Sequence, residues 1–330
     1  MQYTNFTDIP LVLAVWLAAD AGYDLEYNPE VVSATTLFNP IRSIILNRRI
    51  KASLKSVDIA DLVPAAVGSA VHQSVEDAWI YHRDTAFTRL GIPAEIRARI
   101  LFNPESEDLK EDSIPIYMEQ RTAKEMNVDG VKWTVSGKFD AVVQGTVEDV
   151  KTTKTFNWIK GSNDDKYGKQ GSIYRWLNPD IITQDHVNIL MIFTDWSELK
   201  AKADKTYPQK RVIVRKISLM SMEETESYVM ERLRLLNRYL DKPEAELPQC
   251  TPDELWMDPP KWAYYKDRTK LGRATKLFDN AAEANLQLSK EGRTGTVVKR
   301  DMEPKFCRYC DARPICTQAE GYIAQGILQP

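Results

Sequence analysis

Two aspartates and a lysine in one predicted β-hairpin are the residues best suited to chemistry. Asp140 ends the stretch Gly-Lys-Phe-Asp, and Asp149 and Lys151 follow in Glu-Asp-Val-Lys after a turn at Gln144-Gly145. Residues two apart share one face of a strand, so Asp149 and Lys151 point together and Asp140 can converge on them. Such a patch favours a divalent cation, which lowers the pKa of a bound water and stabilises charge on a phosphoryl oxygen. The alternative is a solvent-facing hairpin held by salt bridges.

Two predicted helices carry polar pairs at a spacing of four residues. His72 and Glu76 lie on one face of the first helix, and Gln170 and Tyr174, beside Arg175, lie on one face of the second. Histidine is a frequent metal ligand and a glutamate can orient a water, so the first pair could close a metal site. The alternatives are a core histidine with a surface glutamate, and ordinary surface residues around a half-buried Tyr174.

All four cysteines lie in the C-terminal part of the chain. Three follow the pattern Cys-x2-Cys-x5-Cys, at Cys307, Cys310 and Cys316, and Cys250 stands upstream. A Cys-x2-Cys pair can place both thiolates on one ion, and two further thiolates complete a four-cysteine site for Zn²⁺ or a [4Fe–4S] cluster. The alternative is four unrelated buried cysteines. We expect such a site to be needed for the last 90 or so residues to fold.

A basic and aromatic segment lies between Cys250 and Cys307. From Lys261 to Lys276 it has six basic residues and one acidic residue, and the segment includes Lys261, Trp262, Arg268 and Lys270. Aromatic faces can stack on bases while cations follow phosphates, which predicts a contact with single-stranded DNA. The alternative is a solvated loop whose aromatic side chains pack in the core of the lobe.

The composition is that of an ordinary folded protein. The chain has 330 residues, of which 44 are Lys or Arg and 47 are Asp or Glu, so the net charge is −3. With 43% hydrophobic and 28% charged residues, it is neither disordered nor fibrous. The near-neutral balance excludes binding to nucleic acid through bulk positive charge, so any such contact must come from local clusters.

The length and the change of pattern along the chain predict three segments. We expect an N-terminal helical segment over 1–60, a core over 61–240 and a cysteine-bearing lobe over 241–330. The apolar run from Pro10 to Ala19 predicts a buried helix, since it is too short to span a bilayer and is not flanked like a signal peptide. We therefore expect a cytoplasmic protein with no membrane partner.

The spacing of apolar residues predicts the helices and strands that position these residues. A helix is expected from Ile41 to Ile50 with Arg42, Arg48 and Arg49 exposed, and a capping box at Ser221 and Glu224 opens another. Mixed strands and helices predict an α/β sandwich. The other expected helices cover about 65–90 and 167–177, and the expected strands cover 117–121, 132–143, 146–152, 187–196 and 211–220.

Taken in order, the motifs Gly-x-x-x-His-x-x-x-Glu, Gly-x-x-Asp, Asp-x-Lys and Gln-x-x-x-Tyr resemble the RecB-like branch of the PD-(D/E)XK nuclease superfamily, over about residues 68–240. The resemblance implies a restriction-endonuclease-like mixed sheet flanked by helices and a DNA exonuclease that uses Mg²⁺ or Mn²⁺. It implies that Lys151 assists the attacking water, that Glu76 is a supporting acid, and that Gln170 and Tyr174 position the DNA backbone. The implied metal ligands are His72, Asp140, Asp149 and the carbonyl of Val150.

The cysteine pattern is similar to that of the iron–sulfur members of this branch, including the AddB nuclease domain and the CRISPR spacer-acquisition nucleases. That similarity implies a [4Fe–4S] cluster instead of Zn²⁺. In those families a first cysteine precedes the nuclease motifs, whereas none precedes Cys250 here. This arrangement resembles a phage-type variant of the family, and we expect a protein that is bacterial or phage-encoded in a bacterial host.

Three functions follow from these patterns. The first is a metal-dependent DNA nuclease acting in recombination, repair or replication, on DNA with single-stranded character or free ends. The second is a non-catalytic DNA-binding module that assembles with a recombination partner protein. The third is a zinc-stabilised protein-interaction domain with an incidental acidic hairpin.

Overall fold

The computed structural model describes residues 2–19, 28–51, 56–161 and 163–329. Within these ranges the strands, in chain order, are β1 (Gln2–Thr4), β2 (Val31–Ser33), β3 (Ser56–Asp58), β4 (Ile100–Phe102), β5 (Ile114–Met118), β6 (Arg121–Val128), β7 (Val131–Lys138), β8 (Ala141–Val143), β9 (Thr146–Thr153), β10 (His186–Phe193), β11 (Val212–Ser218), β12 (Lys261–Tyr265), β13 (Lys276–Phe278) and β14 (Thr296–Arg300). The α-helices are α1 (Leu11–Ala18), α2 (Ile41–Arg49), α3 (Ile59–Tyr81), α4 (Arg83–Arg89), α5 (Ala94–Arg97), α6 (Thr155–Lys160), α7 (Asp164–Leu177), α8 (Glu198–Ala203), α9 (Met222–Tyr239), α10 (Ala281–Lys290) and α11 (Thr317–Ala324).

The main sheet has six strands in the order β11-β10-β9-β8-β5-β4. Strands β9 and β10 run parallel, as do β4 and β5, and the other neighbours are antiparallel. Helix α3 contacts β9 and helix α7 contacts β10. A second sheet has the order β2-β7-β6 and a third has the order β13-β12-β14. The chain is therefore an α/β protein with mixed sheets flanked by helices, as the sequence predicts.

The chain divides into two compact units. The large unit comprises residues 3–38 and 57–237 and contains the six-stranded sheet. The cysteine unit comprises residues 1–2, 39–56 and 238–330 and contains α2 together with all four cysteines. Helix α2 thus belongs to the same unit as the C-terminal segment, although about 190 residues separate them in the sequence.

Strand β10 and helix α7 pack closely in the large unit. The side chains of β10 alternate in burial, and Val187, Ile189, Met191 and Phe193 face the core. Helix α7 lies close to this sheet at Gly171, where an added Cβ would stand 3.0 Å from Val187 and 2.9 Å from Leu219. A glycine there lets the helix approach the strands closely.

Several predicted elements are confirmed. Helices α2 and α7 and strands β10 and β11 lie where the periodicity places them. The capping box is present, because the Ser221 N–H donates to Glu224 Oε2 at 2.7 Å and the Glu224 N–H donates to Ser221 Oγ at 3.1 Å. These two bonds satisfy backbone donors at the start of α9 that have no partner within the helix.

The predicted strand over 132–143 is wrong in one respect, because it is two strands in different sheets. Strand β7 pairs with β6, and β8 pairs with β5 and β9. Strand β6 was not predicted, since its polar, largely exposed residues lack the apolar alternation that marks a half-buried strand. The predicted helix over 65–90 begins earlier, at Ile59 after the Asp58 N-cap, and is interrupted at His82.

The prediction of a buried helix at Pro10–Ala19 is also wrong. Helix α1 forms there, but its side chains are largely exposed, with Leu11 at 78% and Val12 at 83%, and Leu17 is its buried residue. An apolar sequence is typical of a core helix, yet burial depends on neighbours that the sequence does not reveal. Among the described residues, no helix combines the length and apolar character needed to cross a membrane.

Candidate metal centre and cysteine cavity

The pairing of β8 with β9 brings the two predicted aspartates together. Ala141 pairs with Glu148, so the next step along this antiparallel register places Asp140 opposite Asp149. The Asp140 carboxylate accepts the N–H of Val150 at its Oδ2, at 2.8 Å. Like charges directly opposite each other are destabilising, so this juxtaposition calls for a compensating positive charge.

His72 provides the first such group from α3. Its Nδ1 lies 3.3 Å from Asp140 Oδ2. Hydrogen bonding to Asp140 raises the pKa of His72 above its ordinary value, although burial opposes the shift. Burial alone would raise the pKa of Asp140, but the hydrogen bond with His72 and the charge of Lys151 lower it. The predicted convergence of His72 with the hairpin is therefore present in the structure.

Glu119, which the sequence did not indicate, completes a three-residue group with the predicted His72 and Asp140. One ligand atom from each of His72, Glu119 and Asp140 lies within 4.8 Å of the others. Glu119 follows β5 with a positive φ of 53°, its N–H donates to the Asp140 carbonyl at 2.9 Å, and its carboxylate pairs with Lys138 at 2.6 Å. A left-handed backbone at a non-glycine residue is uncommon and is enriched at functional sites.

Glu76, the acid that the sequence did indicate, is placed differently. It lies one turn beyond His72 on α3 and is half-buried. Among the described residues, no hydrogen bond or ion pair joins it to His72, Asp140 or Glu119. Glu119, from the end of β5, takes the place beside the histidine that was assigned to Glu76.

Asp149 is a buried acid with an ion-pair partner on its own strand. Lys151 Nζ lies 2.6 Å from Asp149 Oδ2, and the Asp149 side chain is 4% exposed. Burial raises the pKa of Asp149 to about 6; Lys151 opposes this rise and Asp140 adds to it. Burial alone would lower the pKa of Lys151, but the charges of Asp149 and Asp140 raise it.

Asp149 also supplies the test of whether a cation fits here. Its Oδ1 is buried and accepts no hydrogen bond from any described residue. A buried carboxylate oxygen without a donor is costly, and a divalent cation would satisfy it. The residues whose ligand atoms lie within 4.8 Å of one another are His72, Glu119 and Asp140, without Asp149, and their carboxylates suit Mg²⁺ or Mn²⁺.

A cavity of about 90 Å³ opens beside this group. His72, Glu119, Asp140 and Glu148 supply its polar wall, and Trp79 of α3 is among its apolar residues. Along β9, Glu148 and Val150 line the cavity, whereas Asp149 and Lys151 are not among its lining residues. Lys151 interacts electrostatically with Asp140 of this group and with Tyr167 of α7.

The predicted DNA-contacting residues of α7 are engaged within the protein. Gln170 Nε2 donates to Tyr174 Oη at 2.7 Å, and both side chains are buried. Arg175 donates to the backbone carbonyls of Gln184 and Met220, so its guanidinium holds two segments of the chain. The role of Gln170, Tyr174 and Arg175 toward DNA stays a prediction.

The basic aromatic segment is a strand and a turn instead of a loop. Strand β12 forms the centre of the third sheet, and its Tyr264 and Tyr265 are 1% and 2% exposed. Those two aromatics therefore pack in the core, as the alternative interpretation has it.

The four predicted DNA contacts of this segment differ in accessibility. Lys261 pairs with Asp279, and Trp262 is half-buried. Arg268 donates to the carbonyls of Gly295 at 2.8 Å and Arg293 at 2.6 Å. Lys270 is 84% exposed, and its Nζ lies 3.8 Å from Asp267 Oδ2.

The four cysteines line one small cavity of about 20 Å³ in the cysteine unit. Apolar residues, among them Leu255 and Phe306, form much of the rest of its wall. Burial raises the pKa of Cys250 to about 12 and that of Cys307 to about 11, so as free thiols both are protonated at neutral pH. Among the described residues, no three sulfur atoms lie within 4.8 Å of one another.

Arg42 of α2 reaches this cavity, which corrects the expectation that it is exposed. Its side chain is 1% exposed, and its Nε donates to Cys316 Sγ at 3.3 Å. Ser43 Oγ lies 3.3 Å from Cys310 Sγ. The sequence placed Arg42 outside because arginine is rarely buried without a partner, and its partners here lie more than 200 residues away.

Comparisons with known proteins add little. No protein-family model matches the chain, and no curated protein matches it. The crystal structure of SSO0001 aligns with 68% of this chain and 85% of that chain, at 16% identity and a TM-score of 0.41. A similarity at that TM-score carries no argument about fold or function.

Proposed function

We propose that the chain is a divalent-metal-dependent DNA nuclease, with an exonuclease as the favoured form, whose large unit has a restriction-endonuclease-like fold. One observation carries the proposal: His72, Glu119 and Asp140 converge beside the buried Asp149–Lys151 pair at the end of the β8–β9 hairpin. The antiparallel β8–β9 hairpin is followed by α7 and by β10, which pairs parallel with β9, and this order supports the proposed restriction-endonuclease-like fold.

In this proposal some residues of the site bind the metal ion and Lys151 stabilises developing negative charge. A divalent cation bound there would lower the pKa of a water and stabilise charge on a phosphoryl oxygen. Asp140 would hold it from the hairpin, and His72 would keep its Nδ1 directed at the same point. Asp149 would contribute its unpartnered oxygen. Lys151 would keep a positive charge where negative charge develops during attack on the phosphodiester.

Glu119 enters the proposed site in place of Glu76. Its carboxylate lies against His72 and Asp140 and is fixed by Lys138 and by the left-handed backbone. A residue held in this way can bind a cation directly or through a water. We assign Glu76 no part in the chemistry.

The cysteine unit is proposed to hold a [4Fe–4S] cluster. Zinc bound by four thiolates at about 2.3 Å would bring neighbouring sulfurs to about 3.8 Å of one another. The sulfurs of the described structure are spread more widely around their cavity. Four cysteines suit either group, and the similarity of the Cys-x2-Cys-x5-Cys pattern to that of iron–sulfur nucleases is what favours the cluster over Zn²⁺.

The nuclease proposal is tested with linear single-stranded and double-stranded DNA and the full-length protein. We expect degradation with Mg²⁺ or Mn²⁺, no degradation with a chelator, and loss of activity in Asp140→Asn. DNA binding without cleavage in either metal would contradict the proposal and favour a non-catalytic DNA-binding module. Product lengths over time separate exonuclease from endonuclease action.

A further inference from the structure

One turn of α2 contacts two of the four sulfur atoms. Arg42 Nε donates to Cys316 Sγ, and the next residue, Ser43, places its hydroxyl 3.3 Å from Cys310 Sγ. Both contacts join residues more than 260 positions apart in the sequence. All of these residues belong to the cysteine unit.

Arg42 is held in place by several other groups. Its guanidinium donates to the Leu247 carbonyl at 3.2 Å and to Thr317 Oγ1 at 3.1 Å, and it forms an ion pair with Glu244. Glu244 in turn accepts from the Thr317 N–H at 3.1 Å. The guanidinium is therefore fixed, and its Nε–H is aimed at the sulfur.

The chemistry of the contact indicates what the sulfur must be. A neutral thiol is a weak acceptor, whereas a metal-bound thiolate carries negative charge and accepts a charge-assisted bond from a guanidinium. Arg42 already has a carboxylate partner in Glu244, so it is the direction of its Nε–H toward Cys316 Sγ that indicates a thiolate. Four thiolates around one metal group would place excess negative charge next to Arg42.

We propose that Arg42 and Ser43 are positioning residues for the metal group of the four cysteines, which they stabilise by donating hydrogen bonds to the sulfurs of Cys316 and Cys310. Hydrogen bonds to the sulfurs tune the electronic state of such a group and slow its loss. They also attach α2 to the C-terminal lobe without a cysteine from α2. This inference rests on the proposed metal group and is independent of the nuclease centre.

Metal release and the sulfur-to-metal absorption band test the proposal in the full chain purified without oxygen. We expect Arg42→Gln to release iron or zinc to a chelator about 10–100-fold faster than the wild type. Arg42→Lys keeps the charge and should release metal at an intermediate rate. Arg49→Gln is the matched control, because Arg49 lies on the same helix but donates to the carbonyls of Tyr239, Leu240 and Lys242.

Ser43→Ala keeps the test decisive even where Arg42→Gln fails to fold. It removes one hydroxyl, and it should shift the absorption band of the metal group and speed metal release, which a purely structural role would not do. The proposal would be overturned if Ser43→Ala and every folded Arg42 variant released metal at the wild-type rate and kept the wild-type absorption band. A wild-type protein that carries no metal would overturn it together with the metal group, while DNA degradation by that protein would leave the nuclease proposal standing.

Discussion

His72 Nδ1 lies 3.3 Å from Asp140 Oδ2, which joins helix α3 to the end of the β8–β9 hairpin. The same carboxylate oxygen accepts the N–H of Val150, so the backbone of β9 fixes its position. A histidine that faces a carboxylate held in this way has one defined orientation. Three independent elements, namely α3, the end of β5 and the hairpin, meet at this point.

Glu119→Gln tests the ligand that the sequence did not indicate. The substitution keeps the size of the side chain but removes its charge, so we expect Mn²⁺ affinity to fall about 10–100-fold. Titration of Mn²⁺ by calorimetry or electron paramagnetic resonance measures the change. Glu76→Gln is the matched control and should leave the affinity unchanged. A loss in Glu76→Gln with none in Glu119→Gln would reverse the assignment.

Cys310→Ala should unfold the cysteine unit. A structural metal site contributes on the order of 10–16 kcal/mol in small domains, which is comparable to the total stability of a domain. Limited proteolysis and thermal unfolding, each with and without a chelator, measure the effect. If Cys310→Ala and the metal-free wild type both keep the wild-type melting curve, the site is not structural.

Lys270→Glu should weaken DNA binding without disturbing the fold, because its side chain is 84% exposed. Loss of one phosphate contact would reduce the slope of log affinity against log salt by about 1. Fluorescence anisotropy with single-stranded DNA at several salt concentrations measures the slope. Lys290→Glu, at the end of α10, is the matched control. Equal slopes for Lys270→Glu and the wild type would show that Lys270 makes no contact with the DNA.

Gly171→Ala should destabilise the large unit by about 1–3 kcal/mol, because the added Cβ meets Val187 and Leu219 at 2.9–3.0 Å. Gly321→Ala, in α11, meets nothing within 4 Å and should stabilise its helix by about 0.5–1 kcal/mol. Urea unfolding of both variants measures the two changes. An unaltered midpoint for Gly171→Ala would show that α7 can move away from the sheet at little cost.

The sequence predicts the hairpin well because its signals are local. Gln144 and Gly145 both adopt positive φ, of 47° and 82°, which is the geometry of a tight hairpin turn. That turn and the alternation of β9 fix the register, and the register places Asp140 opposite Asp149. Asp140, Asp149 and Lys151 could therefore be selected from the sequence alone.

Glu119 and Arg42 could not be selected, because their positions depend on distant pairing. Glu119 reaches the site only since Met118 pairs with Ala141 in the main sheet. Arg42 is buried by contacts with Leu247 and Cys316, which no local pattern around α2 reveals. The exposure of α1 could not be predicted for the same reason, since an apolar sequence does not reveal whether other elements pack against it.

Lys151→Ala is the direct test of the proposed nuclease centre. Lys151 lies 2.6 Å from Asp149 Oδ2, and we expect its loss to reduce divalent-dependent degradation of linear DNA on the order of 10²–10³-fold. Lys132→Ala, an exposed lysine of β7 paired with Glu125, is the control and should retain activity. We expect the wild type to be active and the Lys151→Ala protein to show this loss while it stays folded and still binds Mn²⁺. Equal activity of the two proteins, or no activity of the wild type on either kind of DNA, would contradict it.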